Sequence, residues 1–262
     1  MRLIAGSVIA AGIVVLASRR RSLSLDGAVA AFVLGAVCSA AGWGWAALLI
    51  GFFISGTLLS RYKADRKAER TAGVVEKGGN RDAWQVLANG GVFSAAAALS
   101  LLHPSPVWTA LGAGAIGAAA ADTWATEIGV LSSATPRSII TGKPVTTGQS
   151  GGVTLAGTFA GALGAIVMAV IALLAGWGNP AAIAAIVGGI GGCALDSILG
   201  ATLQTRRWCD HCNESTERTV HDCGTTSRVA GGLTWLDNDA VNATSSAFGA
   251  LLGFLWILAS RS

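Results

Sequence analysis

Gly114-Ala-Ile-Gly-Ala-Ala-Ala-Ala-Asp-Thr123 and Gly188-Gly-Ile-Gly-Gly-Cys-Ala-Leu-Asp-Ser197 are one phrase written twice, without a gap, 74 positions apart. In each copy a run of small apolar residues ends at an aspartate followed by a hydroxyl, Asp122-Thr123 and Asp196-Ser197. Alanine and glycine match easily by composition, and an aspartate can merely cap or end a helix. A carboxylate in an apolar run, however, is expensive in lipid and marks a functional site by default. Here it occurs twice, in register.

The composition around these runs belongs to a membrane. Of 262 residues, 52% are hydrophobic and only 12% charged, and the mean hydropathy is +0.60, too apolar for an ordinary soluble domain. The 36 glycines and the abundant alanine suit close helix packing in lipid, where small residues let backbones approach. The apolar run at 3–17 is followed by Arg19-Arg20-Arg21 rather than by a small-residue cleavage site, so no cleavable signal peptide is expected.

Eight spans are expected, at 3–18, 26–41, 43–60, 83–102, 107–131, 151–176, 180–203 and 239–260. A total of seven follows if the second and third, joined only by Gly42-Trp43-Gly44, form a bent hairpin. Charge supports the set. Arg19–Arg21, the seven basic residues from Arg61 to Arg81, Arg137, Lys143, Arg206, Arg207, Arg218 and Arg228 all fall on one side, against Arg2 and Arg261 on the other. The positive-inside rule makes the crowded side cytoplasmic and puts both termini outside, in a multi-pass protein of the cell membrane. The expected fold is an all-α polytopic membrane bundle, one membrane domain over 1–262. Its units 107–176 and 180–260 form a parallel repeat of helix, aspartate, loop, glycine pair and helix, and 205–232 is a cytoplasmic Cys/His-rich loop. Both aspartates lie near the cytoplasmic ends of their spans, at headgroup depth, which suits chemistry on a lipid head better than transport across the core.

Three constellations carry chemistry. The first is acidic. Asp122 and Thr126 share a helical face, whereas Glu127 is about 140° from Asp122 on an ideal helix, so both carboxylates meet one ion only if the helix ends or unwinds between them. Asp196, Gly200 and Gln204 form a second stripe, and Asn238, Asp239 and Asn242 open the last span. Oxygens of this kind at one depth form a set that Mg²⁺ accepts beside substrate phosphates. Individually, Asn238 and Asp239 read equally well as helix caps, and Thr126 and Gln204 as hydrogen-bonded packing.

The second is basic and glycine-rich. Lys77-Gly78-Gly79-Asn80-Arg81 leads into a span on which Arg81, Gln85 and Asn89 share a face, and Lys143 precedes Gly148-Gln-Ser150-Gly151-Gly152. Glycines ahead of a helix let backbone N–H groups approach an anion, although a plain flexible loop explains Gly148–Gly152 about as well, and no Walker P-loop is present. Arg61 to Arg70 reads as a solvated run touching anionic lipid heads. With few aromatics there and the loop tethered at the bilayer, no nucleic-acid partner is expected.

The third is Cys209-x-x-Cys212 followed by His221-x-Cys223, four ligands that zinc accepts, on a reducing side where a structural disulfide is not expected. Loose thiols or a redox pair are the alternatives, and His211 could replace His221. Four protein ligands would close the site and make it structural, pinning the seventh and eighth spans together. Cys38 and Cys193 read as packing residues.

These motifs also occur in order in a known family. Glu76-Lys-Gly-Gly-Asn-Arg81, Trp84-Gln-Val-Leu-Ala-Asn-Gly90, Ala121-Asp-Thr-Trp-Ala-Thr-Glu-Ile-Gly129, Gly148-x-Ser-Gly-Gly-Val153, Leu195-Asp-Ser-Ile-Leu-Gly200, the Cys/His cluster and Leu236-Asp-Asn-Asp-Ala-Val-Asn242 resemble an integral-membrane family. That family, transmembrane protein 19-like, contains plant phytyl-phosphate kinase. The resemblance runs from about residue 26 onward and departs at Gln149, which weakens any role for that side chain. It implies transfer of the terminal phosphoryl group of a nucleotide, CTP favoured, to an isoprenyl monophosphate of phytyl or geranylgeranyl type. Under it Mg²⁺ falls to Asp122, Glu127, Asp196 and Asp239, helped by Asn238 and Asn242. The phosphates fall to Lys77, Arg81, Lys143 and Gly148–Gly152, with Gln85, Asn89, Thr126, Ser150 and Gln204 beside them. The prenyl tail would lie between spans. A transporter or flippase for an anionic lipid or solute, or another CTP-dependent lipid enzyme such as a prenol kinase, is the alternative. The sequence leaves the oligomeric state open, a homo-oligomer included.

Overall fold

A computed structural model describes residues 2–75 and 79–260. Eight long helices correspond to the eight expected spans: α1 (Arg2–Arg19), α2 (Leu25–Ala41), α3 (Trp43–Arg61), α5 (Ala83–Leu102), α6 (Pro106–Gly129), α7 (Leu155–Leu174), α8 (Gly178–Thr202) and α9 (Asn238–Ala259). Between α3 and α5 lies a short helix, α4 (Ala64–Arg70), absent from the expectation. The fold is that of a polytopic helical membrane protein. By length and apolarity alone, α3, α5, α7, α8 and α9 can each cross a bilayer, while α1 and α2 are shorter. Helix α6 is the hub: every residue from Gly112 to Ala121 is buried, so it needs no oily exterior of its own.

Packing inverts the soluble pattern. On α7 the large side chains Leu155, Phe159 and Leu174 face outward while Gly157, Gly161, Gly164 and Ala165 are buried. In lipid there is no hydrophobic gain in hiding leucine, so close backbone approach decides which face turns inward. A Cβ on Gly161 would sit 3.0 Å from the Ala121 carbonyl oxygen, and one on Gly164 2.9 Å from that of Ala120; α7 thus runs antiparallel to α6.

The same criterion shows how the repeat is used. A Cβ on Gly188 would lie 2.5 Å from Gly114 Cα, one on Gly189 3.1 Å from Gly117 O, and one on Gly192 2.4 Å from Ala118 Cβ. Helices α6 and α8 therefore lie parallel, with equivalent positions of the repeated phrase face to face. Helix α9 crosses both in the opposite sense, Gly249 meeting Gly114 and Gly188 and Gly253 meeting Ala110.

The polar ends cluster at one face, where α1, α3, α6 and α8 finish and α2, α5, α7 and α9 start. Arg61 donates to Arg20 O and Ser22 Oγ, and Arg81 pairs with the Leu23 stretch in a short parallel bridge. Two departures are local. The segment expected as the start of the sixth span instead forms a two-stranded hairpin, β1 (Arg137–Ser138) with β2 (Gly152–Val153), and Thr154 caps α7 by accepting from Gly157 N at 3.0 Å. The Cys/His loop is a small antiparallel sheet, β3 (Arg206–Cys209), β4 (Glu214–Thr216) and β5 (Arg228–Gly231), in the order β4-β3-β5. Strands were not expected in an all-α chain. They appear where the chain leaves the bundle and its backbone needs partners from itself.

Candidate functional site

The register of α6 against α8 sets Asp122 beside Asp196, close enough for the two carboxyl groups to interact directly. Ser245 of α9 donates to Asp196 Oδ2 at 3.1 Å. Two carboxylates this close cannot both keep their charge unless a proton or a cation sits between them. Their helices continue about 10 Å towards the polar face by helical rise, somewhat deeper than headgroup depth.

They form the floor of a cavity of about 780 Å³ whose walls bring together most of the residues expected from the sequence: Arg81, Gln85, Asn89, Thr126, Glu127, Gly148, Ser150, Gly151, Gly152, Gln204, Asn238, Asp239 and Asn242. Several carry duties the sequence did not indicate. Gln85 Oε1 accepts from Asp82 N in a reciprocal capping box that starts α5, and Asn89 donates to Gln85 O. Gln204, buried at 3% exposure, lies beyond the end of α8 rather than on it. Gly151 has φ +77° and abuts Ala201, where a Cβ would be 2.5 Å from its backbone nitrogen. This glycine is required by packing as well as by any anion. Asp237, not Asn238 or Asp239, caps α9, accepting from Ala240 N at 2.9 Å.

Four expectations need correction or fall outside. Helix α6 does not unwind after Asp122, so Glu127 turns away to bind Lys67 at 2.5 Å; its oxygens are shared with a cation already present. Lys67, read as part of a solvated basic run, is 8% exposed and also donates to Leu59 O, because α4 folds back over the helix ends. Lys143 is exposed on the β1–β2 hairpin and does not line the cavity. Lys77 lies outside the described residues.

The structure also adds residues. Arg207 and Glu217, from the Cys/His sheet, close the cavity from above, and Glu217 accepts from Ser150 Oγ. Gln149 and Cys193 line it as well. Ser245 was discoverable: with Asn238 and Asn242 it continues a polar stripe at helical spacing on an apolar helix.

The sheet's own cluster is compact. One ligand atom from each of Cys209, Cys212, His221 and Cys223 lies within 4.8 Å of the others, with Cys209 Sγ to Cys223 Sγ at 3.6 Å and His221 Nδ1 to Cys223 Sγ at 3.4 Å. Tetrahedral zinc with bonds near 2.3 Å spaces its sulfurs about 3.8 Å apart, so the donor set fits. His221 Nε2 faces Glu214 Oε1 at 3.4 Å, the carboxylate support a metal-bound histidine commonly has. Hydrogen bonds from Thr225, then His221, hold the Cys223 thiol down to about 5, while the Cys223 sulfur first, then desolvation and the Cys209 sulfur, raise Cys212 to about 12. The cluster also reaches beyond α8 and α9: Glu217 N donates to Val74 O at 2.8 Å, Arg218 Nε to Val75 O at 2.7 Å, and Asp222 accepts from Gly73 N. It straps the segment after α4 over the cavity.

Beyond Arg81 a second, mainly apolar cavity of about 420 Å³ opens between α1, α2, α3 and α5, sharing Arg81, Gln85, Asn89 and Thr123 with the first.

Comparison with known proteins agrees with this architecture. Protein PGR of Arabidopsis thaliana is 33% identical over 285 aligned positions, covering 99% of this chain and 96% of its own length. An uncharacterized membrane protein of Methanocaldococcus jannaschii is 29% identical over 79% of this chain and 85% of its own length. One from Synechocystis is 26% identical over 85% and 78% respectively. No solved structure matches. Residues 8–250 match the family model described as integral membrane protein DUF92, and the chain belongs to that family of integral membrane proteins.

Proposed function

We propose that this membrane protein is an isoprenyl monophosphate kinase, transferring the terminal phosphoryl group of a nucleoside triphosphate, with CTP the favoured donor, to a phytyl- or geranylgeranyl-type monophosphate. One observation carries the reading. The facing Asp122–Asp196 pair, with Arg81, Arg207 and the asparagines of α9, lines a polar cavity that shares Arg81, Gln85, Asn89 and Thr123 with an adjoining apolar one. That is the shape of a site for an anionic head on a hydrocarbon tail. The order of motifs shared with the phytyl-phosphate kinase family supports it.

The chemistry asks little covalent help of the protein. An oxygen of the acceptor monophosphate attacks the terminal phosphorus. The bond from that phosphorus to the bridging oxygen breaks, and the nucleoside diphosphate leaves with the electron pair. Arg81 and Arg207 would hold the phosphates from opposite sides, and the Gly148–Gly152 loop would supply backbone N–H groups. Hard oxygen donors at Asp122, Asp196, Asp239 and Asn242 fit Mg²⁺, whose charge would offset that of the phosphates; Glu127, held by Lys67, is the poorer candidate. Zn²⁺ at Cys209, Cys212, His221 and Cys223 would be structural, holding the strap over the cavity. At the opposite end of the bundle Trp45 packs against Phe93 and Trp177, ring centroids 5.1 and 4.7 Å away. That dry aromatic plug favours a one-sided enzyme over a transporter. By the positive-inside rule the site faces the cytoplasm and both termini lie outside.

The test is an incubation of purified protein in lipid with phytyl and geranylgeranyl monophosphates and terminally labelled CTP or ATP, with Mg²⁺. Label in the prenyl diphosphate is the expected result; folded protein that labels no prenyl phosphate removes the kinase reading.

A further inference from the structure

The apolar cavity has a direction. Its walls are Ile9, Ile13, Val14, Leu34, Ile50 and Phe53, and its deep end is formed by Gly6, Ser39 and Trp43. A Cβ on Gly6 would fall 2.2 Å from Ser39 Cβ, so α1 and α2 touch there and narrow the far end. From Phe53 to Trp43 helix α3 rises about 15 Å, half the ~30 Å of a bilayer's hydrocarbon.

The mouth is polar and singular. Among the described residues, Arg81 is the one charged side chain lining the cavity. Its guanidinium lies 5.9 Å from the Phe53 ring centroid, and a Cβ on Gly56 would be 3.1 Å from it and 3.3 Å from Thr123. The cation is thereby held at the junction of the two cavities, next in space to the residue that follows Asp122. A groove that merely accommodates bulk lipid needs neither a narrowed end nor a cation at the other.

We propose that this cleft is the acceptor's tail chamber. It takes one hydrocarbon chain of an amphiphile whose phosphate sits at Arg81, and the narrowing where α1 meets α2 at Gly6 and Ser39 sets the chain length accepted. The inference rests on the kinase reading for the identity of the amphiphile. It also divides the larger cavity, leaving the nucleotide the side beneath the Cys/His sheet, near Arg207.

Ala47 and Ile50 line the cleft and make no polar contact with the site. With kcat/KM measured on geranyl and geranylgeranyl monophosphates, Ala47→Phe should lower the geranylgeranyl-to-geranyl ratio by about tenfold or more. Ile50→Ala should shift the ratio the other way. A ratio unmoved by both variants, in protein that melts like wild type, overturns the proposal. A second arm separates it from the kinase reading: geranylgeranyl monophosphate carrying a photoreactive group at its tail end, without nucleotide. Adducts on Trp43, Ala47 or Ile50 support the chamber even in protein that shows no turnover. Adducts confined to other surfaces overturn it even if turnover is seen.

Discussion

The two halves of the bundle solve opposite problems. In α6–α9, glycines meet backbone across three helices, with Gly114, Gly188 and Gly249 within contact of one another, and nothing can be added. In α1–α5 the helices diverge enough to leave a cavity of about 420 Å³, and Gly12 and Gly91 have no neighbour within 4 Å of a would-be Cβ. Rigidity sits where two carboxylates must be held against each other's charge; room sits where a flexible tail would need to enter. The difference teaches that glycine content alone says little, since the same residue seals the tight half yet stands idle at Gly12 and Gly91 in the other.

The sharpest way to break this contrast is Gly188→Leu against Gly12→Leu. The first drives a side chain into Gly114 Cα and should yield no monodisperse protein, because even one extra methylene in a packed core costs about 1–3 kcal/mol. The second should purify and melt like wild type. Next in size are Asp122→Asn and Asp196→Asn. Each keeps the shape of the tight half while removing a charge. Each should lower phosphoryl transfer by about 10³-fold with the melting temperature held or raised; wild-type transfer in both would end the metal assignment.

A smaller effect tests where the rigid half is anchored. Lys67→Met strands Glu127 and should cost about 1–3 kcal/mol in detergent melting, with Lys67→Met/Glu127→Gln recovering most of it, whereas the neighbouring Arg66→Met should change nothing measurable. Smallest is Gly12→Ala, expected to stabilise by about 0.5–1 kcal/mol, since a helical glycine without a close neighbour gives only backbone freedom. A loss there would mean α1 packs more tightly than its surroundings indicate. Outside the membrane, elemental analysis should find about one zinc per chain. Cys209→Ser should lose it and expose the 71–75 strap to protease.

How much of this was readable beforehand varies residue by residue. Asp122 and Asp196 were legible because a charge in an apolar run has few excuses, and the repeat fixed their equivalence. The Cys/His cluster was legible from spacing, and Cys209, Cys212, His221 and Cys223 do meet. Lys67 was not: in a run of seven basic residues nothing local distinguishes the one that α4 carries back over Glu127. Lys143 misled for a similar reason, since proximity to Gly148–Gly152 along the chain says nothing about the side to which a hairpin turns it. Glu127 was correctly seen to point away from Asp122 on an intact helix, but its partner lay 60 positions upstream.

By itself the sequence determined the class, the number of long helices, the polar face and the aspartate pair, because periodicity, hydropathy and charge asymmetry are set by local composition and by the cost of placing charge in lipid. Only the tertiary structure decided which cations face the cavity, which glycines are indispensable, that the Cys/His sheet straps a distant segment, and that an apolar cleft shares Arg81 with the polar cavity. Those depend on distances between residues far apart in the chain, and they are fixed only when the helices have packed.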